Sequence, residues 1–469
     1  LEVIFPISIT LSQFKKVILL QSKQTKIYLM PLNNEVFRPI HYLGSKYRIL
    51  DLIKNTIDEI DPEKGEVCDL FSGSGSVSFF LSQDRAVTAI DIQEYSRVIC
   101  SAVLSDFPDK PFEADTILEK ISNSGLFNKY FDAARELIST EECLIEHNNN
   151  SVPTLLLDGS LIKYELGEYR EGNYFVEIFE RFYNKLNLLG INKNSIVIFR
   201  YYGGIYFSYK QALAIDIILN FIKDYIPKKF KDFYLAPLLS SVSDSVNTVG
   251  KQFAQPLNPL NSKGELKKSI ITKLKKDRFI DVFSLYSKWL NKYCKINKPI
   301  YSNKIFKSDF NLYLDELPDS VNVVYADPPY TRDHYSRFYH VLETIALGDE
   351  PLITTNKVNK VVSLSKGIYR DDRHQSPFCI KKQAEDAFRK LFEKVSAKNK
   401  KLVLSYSPYD EDKQSHPRVV RLNDLLIIAR GYFDNVEIRS AGQFVHSKLN
   451  SSDKHLEASE QAEILIVCY

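Results

Sequence analysis

Asp327, Pro328, Pro329 and Tyr330 follow directly on the apolar run Val323–Ala326. Val323, Val324 and Tyr325 favour a buried strand, but the prolines cannot continue one, because each lacks the donor that a ladder needs. The result is a stiff elbow at a strand's carboxyl end. It holds one carboxylate, one carbonyl with no following N–H to compete for it, and one aromatic face. Open α/β sheets bind ligands at that end of their strands.

A second group of residues can hold another part of such a ligand. "DLFSGSGSVS" (Asp69–Ser78) puts Gly73 and Gly75 where a strand turns into a helix. Glycine there lets backbone N–H groups approach a ligand closely. Asp91, 22 positions after Asp69, ends a second apolar run, where an acid can grip ribose hydroxyls. A dinucleotide fingerprint requires a third Gly or Ala where Ser78 stands. The loop favours an adenosine-containing cofactor without choosing between a nicotinamide dinucleotide and S-adenosylmethionine.

These residues need a scaffold. From Glu66 to Asp91 the chain reads strand, glycine loop, helix, strand, which is one βαβ unit. Ahead of it, "HYLGSKYRILDLIKNTIDEI" is a turn leading into an amphipathic helix, with Ile49, Leu52, Ile53 and Ile57 near one face. Between about Ser105 and Lys298 the texture is rich in Asn, Lys, Tyr and Phe and shows no βαβ rhythm. From Tyr301 strand-like runs return as "NVVYA", "KLVLSYS", "NVEIRS" and "AEILIVCY". The simplest architecture is one α/β domain interrupted by a long insertion.

Bulk properties exclude several classes. The 44% hydrophobic and 26% charged fractions of the 469 residues are ordinary for a globular protein. A net charge of +3 is too small to imply nucleic acid, so local clustering must carry that argument. Six widely spaced cysteines with no CxxC pair argue against zinc and against a disulfide framework, and fit reduced thiols in a cytoplasm. No apolar run approaches the roughly 18–20 residues of a membrane span, so no membrane partner is expected. "LEVIFPISITLSQFKKVILL" lacks the leading basic region and small-residue cleavage site of a signal peptide.

Taken together, "HYLGSK" (His41–Lys46), "DLFSGSGSVS", Asp91, "KSDF" (Lys307–Phe310) and "DPPY" (Asp327–Tyr330) resemble the amino-methylating DNA methyltransferases. Their order is similar to that of the DNA adenine methylase class. The resemblance implies a Rossmann-like class I methyltransferase, a doubly wound sheet interrupted by a target-recognition domain. The expected parts are an extension over 1–30 that falls outside the fold, a cofactor-binding part over 31–105, a recognition region over 106–298 and a catalytic part over 299–469.

The resemblance also implies roles. Asp69, Phe71, Gly73 and Gly75 would line the S-adenosylmethionine pocket, Asp91 would bind its ribose, and Asp309 would face its adenine amino group. Tyr42, Gly44 and Lys46 would lie beside its methionine moiety, where the Lys46 ammonium can meet a carboxylate. Asp309 could instead cap the following helix, and Lys46 could be a solvated helix-start lysine.

An adenine amino nitrogen is a poor nucleophile, because its lone pair is delocalised into the ring. Acceptors on both of its hydrogens favour a pyramidal nitrogen with a localised lone pair. Asp327 and the Pro328 carbonyl, which Pro329 leaves free, can be those acceptors, and Tyr330 can stack on the base. Positioning and preorganised dipoles then do most of the catalysis. The base must first leave its duplex. In the families that the chain resembles, cytosine-N4 methylation more often has serine at the head of the elbow, so Asp327 implies adenine N6. An RNA amino methyltransferase and an inactive nucleic-acid-binding module on the same fold are the competing readings.

For double-stranded DNA, "LNSKGELKKSIITKLKKDR" (Leu260–Arg278) carries seven basic residues against two acidic. Lys267, Lys268, Lys275 and Lys276 in it suit phosphate contacts, or form a solvated helix face. "FRYYGGIYFS" (Phe199–Ser208) and "VNTVGKQFAQP" (Val246–Pro256) either enter a groove or build an aromatic core. Arg332 and His334, next to the elbow, are candidates to touch DNA. Tyr335, Phe338, Tyr339 and Leu342 at helical spacing read as core. His334 and His340 give no metal site. A specific target site, and a cognate restriction endonuclease in a restriction–modification system, rest on the resemblance alone.

Overall fold

β-Branched and aromatic runs separated by glycine loops and amphipathic helices fold as the βαβ pattern requires. The computed structural model describes residues 37–407, 418–440 and 463–469, apart from 171, 298 and 359–360. The expected extension over 1–30 lies outside the described residues. The strands are β1 (Glu66–Asp69), β2 (Val87–Asp91), β3 (Lys304–Lys307), β4 (Val321–Ala326), β5 (Thr355–Val358), β6 (Val361–Leu364), β7 (Lys401–Tyr406), β8 (Val436–Ser440) and β9 (Ile464–Cys468). Seven form a mixed sheet in the order β3-β2-β1-β4-β7-β9-β8, and β5 pairs with β6. β9 runs antiparallel to both neighbours, whereas the pairs from β3 to β7 are parallel.

The period of two along β4 sorts its side chains onto opposite faces. Val323 and Tyr325 pack with Ile53, Ile57 and Leu81 of helices Leu50–Ile60 and Ser76–Leu81. Val324 and Ala326 pack with Leu314, Phe388 and Leu425 of helices Phe310–Asp315, Ala384–Ala397 and Leu422–Arg430. Helices thus cover both faces, which explains why the central strands read as unbroken apolar runs. β3 was not legible as a strand. It is a sheet edge, and its Lys304 and Lys307 suit an edge that must not pair with another chain.

Between helix Glu94–Leu104 and β3, the described residues form ten α-helices and carry no strand. Helix Lys231–Ser245 lies against both Glu94–Leu104 and Val282–Cys294. Asp232 accepts two Arg97 guanidinium donors at 2.8 Å, tying the helical segment to the sheet domain. Pro39–Tyr469 form one compact unit with this segment included. Among the described residues, no helix is long and apolar enough to cross a membrane.

The two glycine–aromatic stretches are core. Tyr201, Tyr202, Tyr206 and Phe207 are buried, and Tyr202, Tyr206 and Phe253 ring His340 edge-on at 5.5–6.2 Å. Asn247, Thr248 and Phe253 are fully buried, and the turn at Val249 reaches solvent. The helix expected after the elbow is broken at Tyr339 (φ −126°) into Tyr335–Phe338 and His340–Leu347. Tyr339 and Leu342 are core, while Tyr335 turns to the cleft described below.

Arg278, the last basic residue of the lysine-rich run, is also structural. Its guanidinium meets the Glu141 carboxylate and donates to the Gly204 carbonyl at 2.8 Å, and both side chains are almost wholly buried. Arg278→Ala would leave Glu141 as an uncompensated buried charge, a loss of about 3–5 kcal/mol. Urea denaturation should show a drop of that order. A change of less than about 1 kcal/mol would refute the pairing.

Candidate active site

The strand order reverses between β1 and β4, and in open sheets the crevice at that point takes ligands. A cleft opens there. Its walls include Phe71 after β1, Asp91 ending β2, Ser308–Phe310 after β3 and Asp327–Tyr330 after β4. Tyr42, Tyr95, Tyr335 and His374 complete the rim. The sheet therefore brings Tyr42, Phe71, Asp91, Asp309 and the elbow together at one cleft.

The glycine loop is shaped by its neighbours. Gly73 and Gly75 have φ of +51° and +73°. A Cβ on Gly73 would stand 2.6 Å from the Tyr42 ring, and one on Gly75 would stand 3.0 Å from Cys100 Sγ of helix Glu94–Leu104. Neither glycine lines the cleft. Asp91 accepts from Gly73 N at 2.8 Å and Gln93 N at 2.9 Å, fixing the loop, and burial pushes its carboxyl up. Each Asp91 oxygen keeps a lone pair for a ligand.

Ser78, the residue that spoils the dinucleotide fingerprint, donates its hydroxyl to Asp69 Oδ2 at 2.5 Å. Asp69 is buried beneath the cleft, and its Oδ1 has no partner. Burial pushes this carboxyl up to about 7; the Ser78 hydrogen bond opposes the shift, and the charges of Asp327 and Asp91 add to it. Asp309 does cap its helix, accepting from Asn311 N at 2.9 Å, and it also faces the cleft.

Lys46 is not a solvated lysine. It is buried, and its Nζ lies 2.6 Å from Asp327 Oδ2, 2.8 Å from Glu463 Oε1 and 2.9 Å from the Gly44 carbonyl. The carboxylates it meets belong to the protein. Burial alone would lower its pKa, but the two carboxylates outweigh that and hold the ammonium well above its usual range. Burial pushes Asp327 up to about 6; Lys46 opposes the shift and Glu463 adds to it. Oδ1 of Asp327 meets no protein donor among the described residues.

No local signal could have pointed to Glu463. It is the first described residue before β9, and because β9 is antiparallel its start lies at the carboxyl end of β7, with Ile464 opposite Tyr406. The Tyr330 ring packs at 5.1 Å against Tyr406, with the Arg418 guanidinium 4.9 Å from its centre. Arg332 is exposed beyond the elbow, and His334 is half-buried.

The proposed phosphate stripe is only partly available. Lys268, Lys275 and Lys276 are exposed on helix Lys268–Asp277. Lys267 is half-buried and donates to the Asn258 carbonyl at 3.1 Å, while Lys275 reaches the Glu146 carbonyl at 3.1 Å. Lys273 is paired with Asp277 at 2.9 Å. None of these lysines lines the cleft. Among the described residues, no group of three or more His, Cys, Asp or Glu is placed to hold a metal ion.

The family of D12 class N6 adenine-specific DNA methyltransferases matches residues 42–187 and 262–405, more than half of the chain. The unmatched stretch between them contains helices Tyr209–Tyr225 and Lys231–Ser245. The chain is 23% identical over 442 residues to modification methylase LlaI of Lactococcus lactis subsp. lactis, covering 91% of this chain and 54% of that protein. It is 24% identical over 379 residues to type II methyltransferase M.FokI of Planomicrobium okeanokoites, covering 78% and 44% respectively. The chain spans about half the length of the curated relatives it matches.

Asp327 faces Lys46, Glu463 and Asp69, and the phenols of Tyr325, Tyr330 and Tyr335. Glu463→Gln removes a negative charge that disfavours the Asp327 carboxylate, so the Asp327 titration must move to lower pH. Carboxyl 13C NMR of the unliganded protein, assigned with Asp327→Asn, should give a midpoint near 6 for the parent and a lower one for the variant. An unchanged or raised midpoint would break the proposed coupling.

Proposed function

The chain belongs to the D12 class of N6 adenine-specific DNA methyltransferases, and on that footing we propose that it methylates adenine N6 at a specific site in duplex DNA. The observation that carries this reading is the elbow, whose Asp327 is held by Lys46 through one oxygen and open through the other. Residues 106–298 are proposed to contain the target-recognition region, with 31–105 and 299–469 as the cofactor-binding and catalytic parts. The name of one relative, modification methylase LlaI, speaks of modification. On that ground the chain is proposed to be the cytoplasmic, protective half of a restriction–modification system with a cognate endonuclease.

S-adenosylmethionine is the proposed cofactor, and the residues fit it. Asp91 offers lone pairs to ribose hydroxyls, and Phe71 and Phe310, with centroids 5.6 Å apart, offer a wall to adenine. Asp69 Oδ1 is a buried acceptor that lacks a donor, as an amino group would be. When bound, the cofactor supplies a methyl group on a sulfonium, a good leaving group.

The protein's part is to prepare the nucleophile. The flipped adenine stacks on Tyr330, and its amino hydrogens are taken by Asp327 Oδ1 and the Pro328 carbonyl. Lys46 keeps Asp327 ionised and fixes Oδ2, so Oδ1 cannot rotate away from the base. As the nitrogen becomes cationic its proton passes to Oδ1. A carboxyl pKa of about 6 makes Asp327 a better acceptor than an ordinary carboxylate, yet leaves it ionised at neutral pH.

Asp327→Ala should slow single-turnover methylation by a hundred- to a thousandfold, about 3–4 kcal/mol, while cofactor affinity persists. Tyr330→Phe should keep most of the activity and Tyr330→Ala should lose it. Nucleoside analysis of DNA methylated with labelled cofactor must yield N6-methyladenine. A near-parental rate in Asp327→Ala, or label on cytosine or RNA, sinks the proposal.

Replacing Lys268, Lys275 and Lys276 with Gln should reduce the log–log salt slope of DNA binding by about 0.9 for each phosphate that the protein no longer neutralises. Lys267→Gln should change the slope less than Lys268→Gln or Lys276→Gln, because Lys267, like Lys275, already serves a backbone carbonyl. A parental slope in the triple variant moves the phosphate surface elsewhere.

A further inference from the structure

A second polar cluster stands beside two cleft-lining residues in the chain, Tyr335 and His374. The guanidinium carbons of Arg337 and Arg373 lie 5.0 Å and 5.1 Å from the centre of one ring, that of Tyr369. Arg337 Nη2 reaches the Tyr369 hydroxyl at 3.4 Å, and Arg373 Nε donates to the Arg370 carbonyl at 2.7 Å. Neither guanidinium has a carboxylate in ion-pair reach among the described residues, although both are half-buried. Of the acids nearby, Asp349 and Asp372 are held by Arg370 at 2.5 Å and 2.8 Å, while Asp371 and Asp333 act on Arg373 and His334 through their charge.

The cluster also has buried polar atoms without a partner. They are Arg337 Nε, a donor, and His334 Nδ1, which donates or accepts according to its tautomer. Burial, then the neighbouring Arg337, lower the pKa of Arg373, and burial with both arginines lowers that of His334. Two like charges held on one tyrosine are unfavourable unless an anion joins them. The cluster is joined to the cleft through the chain: His334 precedes Tyr335 and Arg373 precedes His374, and Tyr335 and His374 line the cleft, although the cluster's own side chains do not.

We propose that Arg337 and Arg373, with His334 between them and the cleft rim, form a clamp for a DNA phosphodiester, that of the nucleotide whose base enters the cleft. This rests on the methyltransferase reading given above. Arginine is the residue suited to the task, since its fork binds two phosphate oxygens while its plane rests on an aromatic ring. The clamp is distinct from the lysine helix. Helix lysines supply affinity along the duplex, whereas a clamp at the cleft holds the backbone in its swung-out form.

The test is the double variant Arg337→Gln/Arg373→Gln in the full chain. Its melting temperature should equal or exceed the parent's, because a repulsion is removed. The log–log salt slope of binding to target DNA should fall by about 0.9, for the one phosphate that the clamp no longer neutralises. The 2-aminopurine signal of a flipped target base at saturating DNA should fall, with cofactor affinity by calorimetry unchanged. Arg→Lys at both positions should restore most of the slope and less of the flipping signal.

Should the Gln variant fail to fold, phenylglyoxal labelling of the parental protein decides. Target DNA should protect Arg337 and Arg373, while inorganic phosphate at equal phosphate concentration should protect less. Protection by RNA but not DNA, equal labelling with and without DNA, or a parental slope in the folded variant would overturn the clamp. Intact adenine methylation alongside any of these would leave the methyltransferase reading standing and remove the clamp alone.

Discussion

One buried ammonium, that of Lys46, lies between two carboxylates drawn from distant parts of the chain. An unpaired Asp327 in this place would take a proton rather than stay charged, because burial pushes its carboxyl up. An unpaired Lys46 would be as costly. Each group is thus kept ionised by the other, and the third member, Glu463, sets the balance. By sharing the ammonium, it keeps Lys46 from neutralising Asp327 completely. The elbow keeps a carboxylate that is charged yet still basic, as its proposed role requires.

Bringing residues 46, 327 and 463 together explains much of the architecture. Lys46 begins the helical run that covers one face of the sheet, and Asp327 ends β4 in its centre. Glu463 can reach them only because β9 is inserted antiparallel between β7 and β8, which puts its amino end at the active edge. A parallel strand there would put the same residue at the far end of the sheet. A similar long-range tie holds the other wall. The Glu343 carboxylate accepts from the backbone N–H groups of Glu94 and Tyr95, both at 3.0 Å, and so anchors the helix after β2 to the helix after the elbow.

What could be read from the sequence follows from the range of each interaction. β1, β2, β4, β7, β8 and β9 were legible because short apolar runs bounded by turn residues are local signals. The elbow and the glycine loop were legible because their groups are contiguous. The Ser78–Asp69 bond was not, yet Ser78 was already conspicuous as the residue that departs from a dinucleotide loop. Arg278 looked like surface chemistry, and Tyr201 and Tyr202 stayed open between groove and core, because their partners lie far along the chain. Arg278 and Glu141 are 137 positions apart, a separation that leaves no periodicity to detect. The same is true of Glu463, whose role is a property of strand direction.

Electrostatics then ties the glycine loop to the elbow. Asp69, Asp91 and Asp327 all have raised pKa values, each chiefly through burial, and the charges of Asp91 and Asp327 raise Asp69 further. Lys46 is the ammonium that serves this group, and it is already divided between Asp327 and Glu463. The cleft is therefore short of positive charge in its unliganded form. A ligand bearing an amino group and a sulfonium supplies positive charge to such a group of acids, and a neutral ligand of the same shape does not. With S-adenosylmethionine as the proposed donor, loss of the sulfonium charge on methyl transfer would return part of that deficit, and the acids would hold the neutral product less strongly than the cationic donor. Carboxylates that are costly to bury would in this way discriminate between donor and product at one site.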